Sequence, residues 1–108
     1  MRWTVETFNA TVDAEIDALP KSLRARIVRL MEAVGSLGLE QFHEPHVKHI
    51  DGKLWELRAK AADGIARGLY VTATGRRMII LHVFVKKSQK TPQRALDIAR
   101  DRMRRLKP

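Results

Sequence analysis

The sequence has no cysteine, which excludes disulfides and thiolate metal sites and fits a reducing compartment. Nor does any apolar run approach the length that spans a bilayer, and the N-terminal Met-Arg-Trp-Thr-Val-Glu-Thr-Phe lacks the apolar core of a signal peptide. A soluble, cytoplasmic protein with no membrane partner is expected. Glycine-rich phosphate loops and paired acidic residues are also missing from the stretches that look functional. The scarcest feature is negative charge in the last third. Residues 76–108 hold eleven lysines and arginines against only Asp97 and Asp101, whereas residues 1–75 hold ten basic and ten acidic side chains, so the net charge of +9 lies entirely at the C-terminal end. This asymmetry points to a polyanionic partner, nucleic acid before membrane, because the stretch from Lys86 onward carries no aromatic anchor for a lipid interface.

What is present suffices for one core. With 108 residues, 44% of them hydrophobic, a single domain covering 1–108 is expected. Trp3 to Phe8 alternates like a short strand. Asn9 or Thr11 can cap a helix bearing Val12, Ile16 and Leu19, closed by Pro20. Lys21 to Leu37 carries a stripe of Leu23, Ile27, Leu30, Met31, Val34 and Leu37, with Gly35 and Gly38 marking its end. These two helices form a hairpin suited to one face of a sheet. Gly38 to Lys53 has no clear period, contains Pro45, and reads as a loop with a turn at Asp51-Gly52. Its histidines, His43, His46 and His49, are spaced by three, but Pro45 opposes a regular helix, and they read as exposed or phosphate-facing loop residues rather than metal ligands.

Three strand-like runs follow, Leu54 to Lys60, Ile65 to Ala73 and Arg77 to Lys86, joined by connectors short enough for antiparallel hairpins. The first connector places Arg58 opposite Arg67. A two-residue turn at Thr74-Gly75 places Arg67 opposite His82, giving a row of Arg58, Arg67 and His82 with Lys60 and Lys86 on the same face. The other face then carries Trp55, Leu57, Tyr70, Ile79, Leu81, Val83 and Val85. Thr91 is a natural N-cap and Pro92 a natural first residue for a terminal helix running to about Leu106. The fold class is therefore α+β, in the order β-α-α-β-β-β-α.

The row is made of guanidinium, ammonium and imidazole, groups that handle a phosphodiester without a metal or other cofactor. RNA cleavage needs an activated 2′-hydroxyl, stabilisation of charge at phosphorus and a proton for the leaving 5′-oxygen. Arg58 and Arg67 could clamp the phosphate. Lys86 or Lys87, crowded by other cations, could serve as base or acid. His82 could do the same, or be a satisfied core histidine. Lys60, Arg76, Arg77, Lys90 and Arg94 are candidate nucleic-acid contacts.

Leu54-Trp-Glu-Leu-Arg58, the arginine in Gly64-Ile-Ala-Arg67-Gly-Leu-Tyr70, and above all Phe84-Val-Lys-Lys-Ser-Gln-Lys-Thr-Pro92 closely resemble the RelE/ParE toxin superfamily, in its HigB-like, phage-derived branch. The resemblance covers nearly the whole chain. It implies a small RelE-like fold and a toxin of a type II toxin-antitoxin pair, usually a ribosome-dependent mRNA endonuclease. The implied partners are the ribosome and its message, and a cognate antitoxin, often a helix-turn-helix protein, through which alone operator DNA would be bound. The alternatives are a ParE-like inhibitor of DNA gyrase and an inactive member that binds only antitoxin and DNA. On the family pattern, Arg58 and Arg67 match the basic strand residues, and Lys86, Lys87 and Lys90 the strand-end basic motif. The sequence departs from many ribosome-dependent members in having no Tyr or His after His82, so lysine or the ribosome would have to supply that chemistry.

Overall fold

A computed structural model describes residues 2–62, 64–86 and 90–106. The elements are β1 (Thr4–Thr7), α1 (Ala10–Asp17), α2 (Lys21–Leu37), a single 3₁₀ turn (Leu39–Gln41), β2 (Val47–Asp51), β3 (Leu54–Ala61), β4 (Gly64–Ala73), β5 (Arg77–Lys86) and α3 (Gln93–Arg104). This is the expected α+β arrangement with one strand added. The five strands form a mixed sheet in the order β1-β5-β4-β3-β2, with β1 parallel to β5 and every other pair antiparallel.

The local signals account for the helices. The Asn9 side chain accepts the Val12 N–H and caps α1. Gly38, at φ 97°, ends α2, while Gly35 lies within it. There its carbonyl accepts the Trp3 N–H at 3.0 Å, tying the helix to the start of β1.

β2 corrects the reading of residues 38–53 as a loop. Its sequence, Val-Lys-His-Ile-Asp, buries only Val47, so an edge strand with one anchoring residue has the polarity of a loop.

The sheet is covered on both faces. Val12, Ile16, Leu19, Leu23, Ile27 and Val34 of the helical hairpin pack with Leu57, Tyr70, Met78, Ile80 and Val83. On the other face, Ala95 and Ala99 of α3 pack with Leu54, Leu69, Val71, Ile79 and Leu81. Ile79 and Leu81 thus lie on the face opposite to the expected one. The cause is the β4–β5 connection. Ala73 pairs with Arg77, so the loop has three residues, with both Gly75 (φ 86°) and Arg76 (φ 56°) in the left-handed region. The extra residue turns the first half of β5 over. A bulge then intervenes: Tyr70 pairs with Ile80 but Leu69 with His82. This second shift restores the parity from His82 onward. Arg67 consequently faces Phe84, and His82 lies opposite Leu69.

Beyond Ile80, β5 has no β1 partner, and side chains cover its edge instead. Glu15 of α1 accepts the Val83 N–H at 3.0 Å, and Arg102 of α3 donates to the Leu81 carbonyl at 2.7 Å while also pairing with Glu15 at 3.0 Å. The two helices are stapled together across an otherwise open strand edge.

Candidate RNA-cleaving site

Pairing across β2, β3, β4 and β5 sets out the candidate face as ranks of side chains. One rank runs Lys48, Glu56, Leu69, His82; the next runs Arg58, Arg67, Phe84; a third runs Lys60, Ile65, Lys86. The expected pairing of Arg58 with Arg67 is present. Side chains at paired positions project on the same face, so the alternation that builds the sheet also gathers Lys60, Arg58, Arg67 and Lys86 at one end of it.

At the centre is a residue that the charge count had only as an acid among others. Glu56 has no exposed surface. Its Oε1 accepts Nη1 of Arg67 at 2.7 Å and Nε of Arg58 at 3.0 Å, and its Oε2 accepts the Thr91 hydroxyl at 2.9 Å. A buried carboxylate needs such compensation, because an unpaired charge in the interior is costly. Thr91 is therefore not the cap of α3. That position belongs to Pro92, which makes no side-chain cap, and α3 starts at Gln93. The hydroxyl goes to Glu56 and anchors the approach to α3 against the site.

The two arginines differ in availability. Arg67 is only 2% exposed and is committed to Glu56, whereas the Arg58 side chain retains 19% exposure. Arg58 is the guanidinium able to meet a phosphate, with Arg67 contributing its charge from beneath. Lys86 is 4% exposed, and its ammonium has no hydrogen-bond partner among the described residues. Burial, followed by the nearby Arg67, pushes its pKa below the usual lysine value; Glu56 opposes this, and Arg58 and Lys48 add to it. Lys87 lies outside the described residues.

His82 is placed elsewhere. It donates Nδ1–H to Glu15 at 3.0 Å and stacks on Phe84, with ring centroids 5.2 Å apart. Burial holds its pKa below the ordinary histidine value; Glu15 works against this, and Arg102 and Arg94 work with it. It belongs to the staple over the β5 edge, not to the rank of Arg58 and Arg67. Arg76 and Arg77 stand at the far end of β5 from Lys86, and Arg77 is paired with Glu6 at 2.6 Å. Nine residue steps along a strand span roughly 30 Å, so these two are separate from the cluster. Lys90 and Arg94 are exposed near the start of α3.

Arg58, Lys60 and Arg67 line a cleft of about 500 Å³ with Arg26, Leu30, Ile65, Pro45 and His46. The cleft opens at the edge of β3, where β2 has ended. Arg26 and Lys48 were not among the residues singled out from sequence, and His46 was read there only as an exposed or phosphate-facing loop residue. Only the added strand β2 brings Lys48 and His46 beside β3, and Arg26 reaches the cleft from α2.

Comparison with known proteins agrees with this architecture. The family model described as "Phage derived protein Gp49-like (DUF891)" matches residues 14–104. The chain belongs to this family, the HigB-like, phage-derived branch of the RelE/ParE toxin superfamily. Proteins called "Probable endoribonuclease HigB1" from Mycobacterium tuberculosis, strains CDC 1551 / Oshkosh and ATCC 25618 / H37Rv, are each 33% identical to it, across 94% of this chain and 82% of theirs. A chain in the crystal structure of the archaeal RelE-RelB complex from Pyrococcus horikoshii OT3 matches with a TM-score of 0.58 at 19% identity, covering 83% of this chain and all of its own. The RelE-like fold is thereby shown.

Proposed function

We propose that this protein is the toxin of a type II toxin-antitoxin pair, an endoribonuclease that cuts messenger RNA on the ribosome, with the whole chain acting as one toxin domain. The observation that carries this reading is the cluster of Lys60, Arg58, Arg67 and Lys86, from two adjacent ranks at one end of the sheet, beside an open cleft. The chemistry of that cluster suits transesterification at a phosphodiester. Arg58 binds a nonbridging oxygen and Arg67 adds positive potential from below, so the charge that builds at phosphorus meets fixed cations. Lys86, its ammonium disfavoured by burial and by its neighbours, takes the proton of the attacking 2′-hydroxyl in its neutral form. The HigB1 relatives carry the name of an endoribonuclease, and the complex of the structural neighbour suggests an antitoxin as partner.

The test is to add the purified chain to a translating extract and map message ends. Codon-linked cuts in the ribosomal A site, lost on Arg58→Ala with the fold retained, support the reading. Intact message together with loss of DNA supercoiling would replace it with gyrase inhibition.

A further inference from the structure

The pairing of β2 with β3 continues one residue beyond the strand. Val47 pairs with Leu57, and the His46 carbonyl accepts the Arg58 N–H at 2.8 Å. His46 therefore stands opposite Arg58, and residues at paired positions share a face. The rank of Arg58 and Arg67 gains an imidazole at its β2 end. Of the four histidines in the chain, the others are engaged elsewhere. His82 is bound to Glu15, His49 bonds the Gly52 carbonyl at 2.8 Å and packs against Trp55, and His43 lines a separate aromatic cavity with Trp3 and Phe42. His46 alone lines the cleft with Arg58, Lys60 and Arg67.

Its setting suits proton transfer. The residue is exposed, and neither ring nitrogen has a hydrogen-bond partner among the described residues. The ring meets Phe42 edge-on, with centroids 6.5 Å apart and planes at 80°, which orients it without blocking the nitrogens. Its backbone is held from both sides, by Arg58 and by the His43 carbonyl, which accepts the His46 N–H at 2.9 Å. Lining the cleft with it are the charged groups Arg26 of α2, Lys60 and Arg58 of β3, and Arg67 of β4; Glu44 lies on its own segment. A phosphate drawn in by those cations is placed beside the imidazole.

We infer that His46 is the general acid of the cleavage step, donating a proton to the departing 5′-oxygen; this rests on the endoribonuclease reading above. The 2′-oxygen forms a bond to phosphorus as its proton passes to the neutral amine of Lys86. The P–O5′ bond breaks, its electron pair goes to O5′, and that oxygen takes the proton from the His46 imidazolium. The products are a 2′,3′-cyclic phosphate and a 5′-hydroxyl, and proton exchange with solvent resets Lys86 and His46. An imidazole from the loop before β2 thereby fills the role that a C-terminal Tyr or His would otherwise fill.

The experiment compares wild type and His46→Gln on ribosomes programmed with a short message, made with either the natural 5′-oxygen or a bridging sulfur at the scissile bond. A thiolate leaves without protonation, so the need for the acid disappears. General acid catalysis is worth roughly 10²–10⁴-fold, and His46→Gln is expected to lose about that on the oxygen substrate while matching wild type on the sulfur one. An exposed ring makes an unchanged melting temperature the expected control. Equal slowing on both substrates, or undiminished cleavage of the oxygen substrate, overturns the assignment and leaves the nuclease reading standing. Failure of wild type to cut either message removes the nuclease reading and the role of His46 together.

Discussion

Glu56, with no exposed surface, accepts a 2.7 Å hydrogen bond from Nη1 of Arg67, which is 2% exposed. Arg67 is thus half of a buried ion pair, and its charge reaches the cleft from inside the protein. Removing one partner of such a pair strands the other, at a cost of about 3–5 kcal/mol. Both Glu56→Gln and Arg67→Ala are expected to lower the urea midpoint by a corresponding amount. Losses of activity in these variants should therefore be read against their folded fraction.

Arg58 separates chemistry from stability. Partly exposed and at the rim of the network, Arg58→Ala is expected to cost far less stability than Arg67→Ala and to slow cleavage by roughly 10²-fold or more, the usual scale for removing a donor that stabilises developing charge. Single-turnover cleavage alongside urea unfolding checks both halves.

Lys86 has the opposite stability sign. Its folded-state pKa is depressed, so the charged form is disfavoured by folding, and that penalty is fully present at pH values below the folded pKa. The penalty is relieved as pH rises through the folded pKa toward the unfolded value of about 10.4. Lys86→Met is accordingly expected to be more stable than wild type at neutral pH, by a margin that shrinks with rising pH, and to be impaired in cleavage. Urea titrations across this range measure the margin; a variant less stable than wild type at neutral pH contradicts the assignment of strain to Lys86.

The staple over the β5 edge makes a local prediction. Glu15→Ala removes the acceptor of the Val83 N–H and the partner of both His82 and Arg102. Hydrogen exchange at Val83 should accelerate strongly, with a loss of stability of about 1.5–3 kcal/mol, the range for hydrogen bonds to a charged group. The neighbouring amides paired to β4 should be less affected.

Residues placed apart from the cluster supply the counter-test. His82→Gln, which keeps a donor for Glu15, and Arg77→Ala, at the other end of β5, should both cleave message close to the wild-type rate.

The sequence made the helices, the three long strands and the Arg58–Arg67 pair legible, because each rests on strong periodicity or on a short connector. It hid what depends on distant partners. β2 was invisible because Lys48, His49 and Asp51 make it nearly as polar as a loop, and it is a strand only because β3 lends it a ladder. The extra loop residue at Arg76 and the bulge before His82 each shift register by one. The two shifts cancel in face but not in position, so His82 kept its side of the sheet while losing Arg67 as its partner. Thr91 looked like a helix cap from its place before Pro92, and only the buried carboxylate of Glu56 explains why its hydroxyl is turned elsewhere. His46 stood out only as one of three histidines spaced by three in a segment read as a loop, beside Pro45.

The central claim is that the cluster of Arg58, Arg67 and Lys86 cleaves RNA by transesterification. Its most direct measurement is the chemistry of the ends formed when wild-type protein acts on ribosome-bound message. A 2′,3′-cyclic phosphate upstream and a 5′-hydroxyl downstream, absent with Arg58→Ala, are the predicted result; a 3′-hydroxyl with a 5′-phosphate, or no new ends at all, would contradict it.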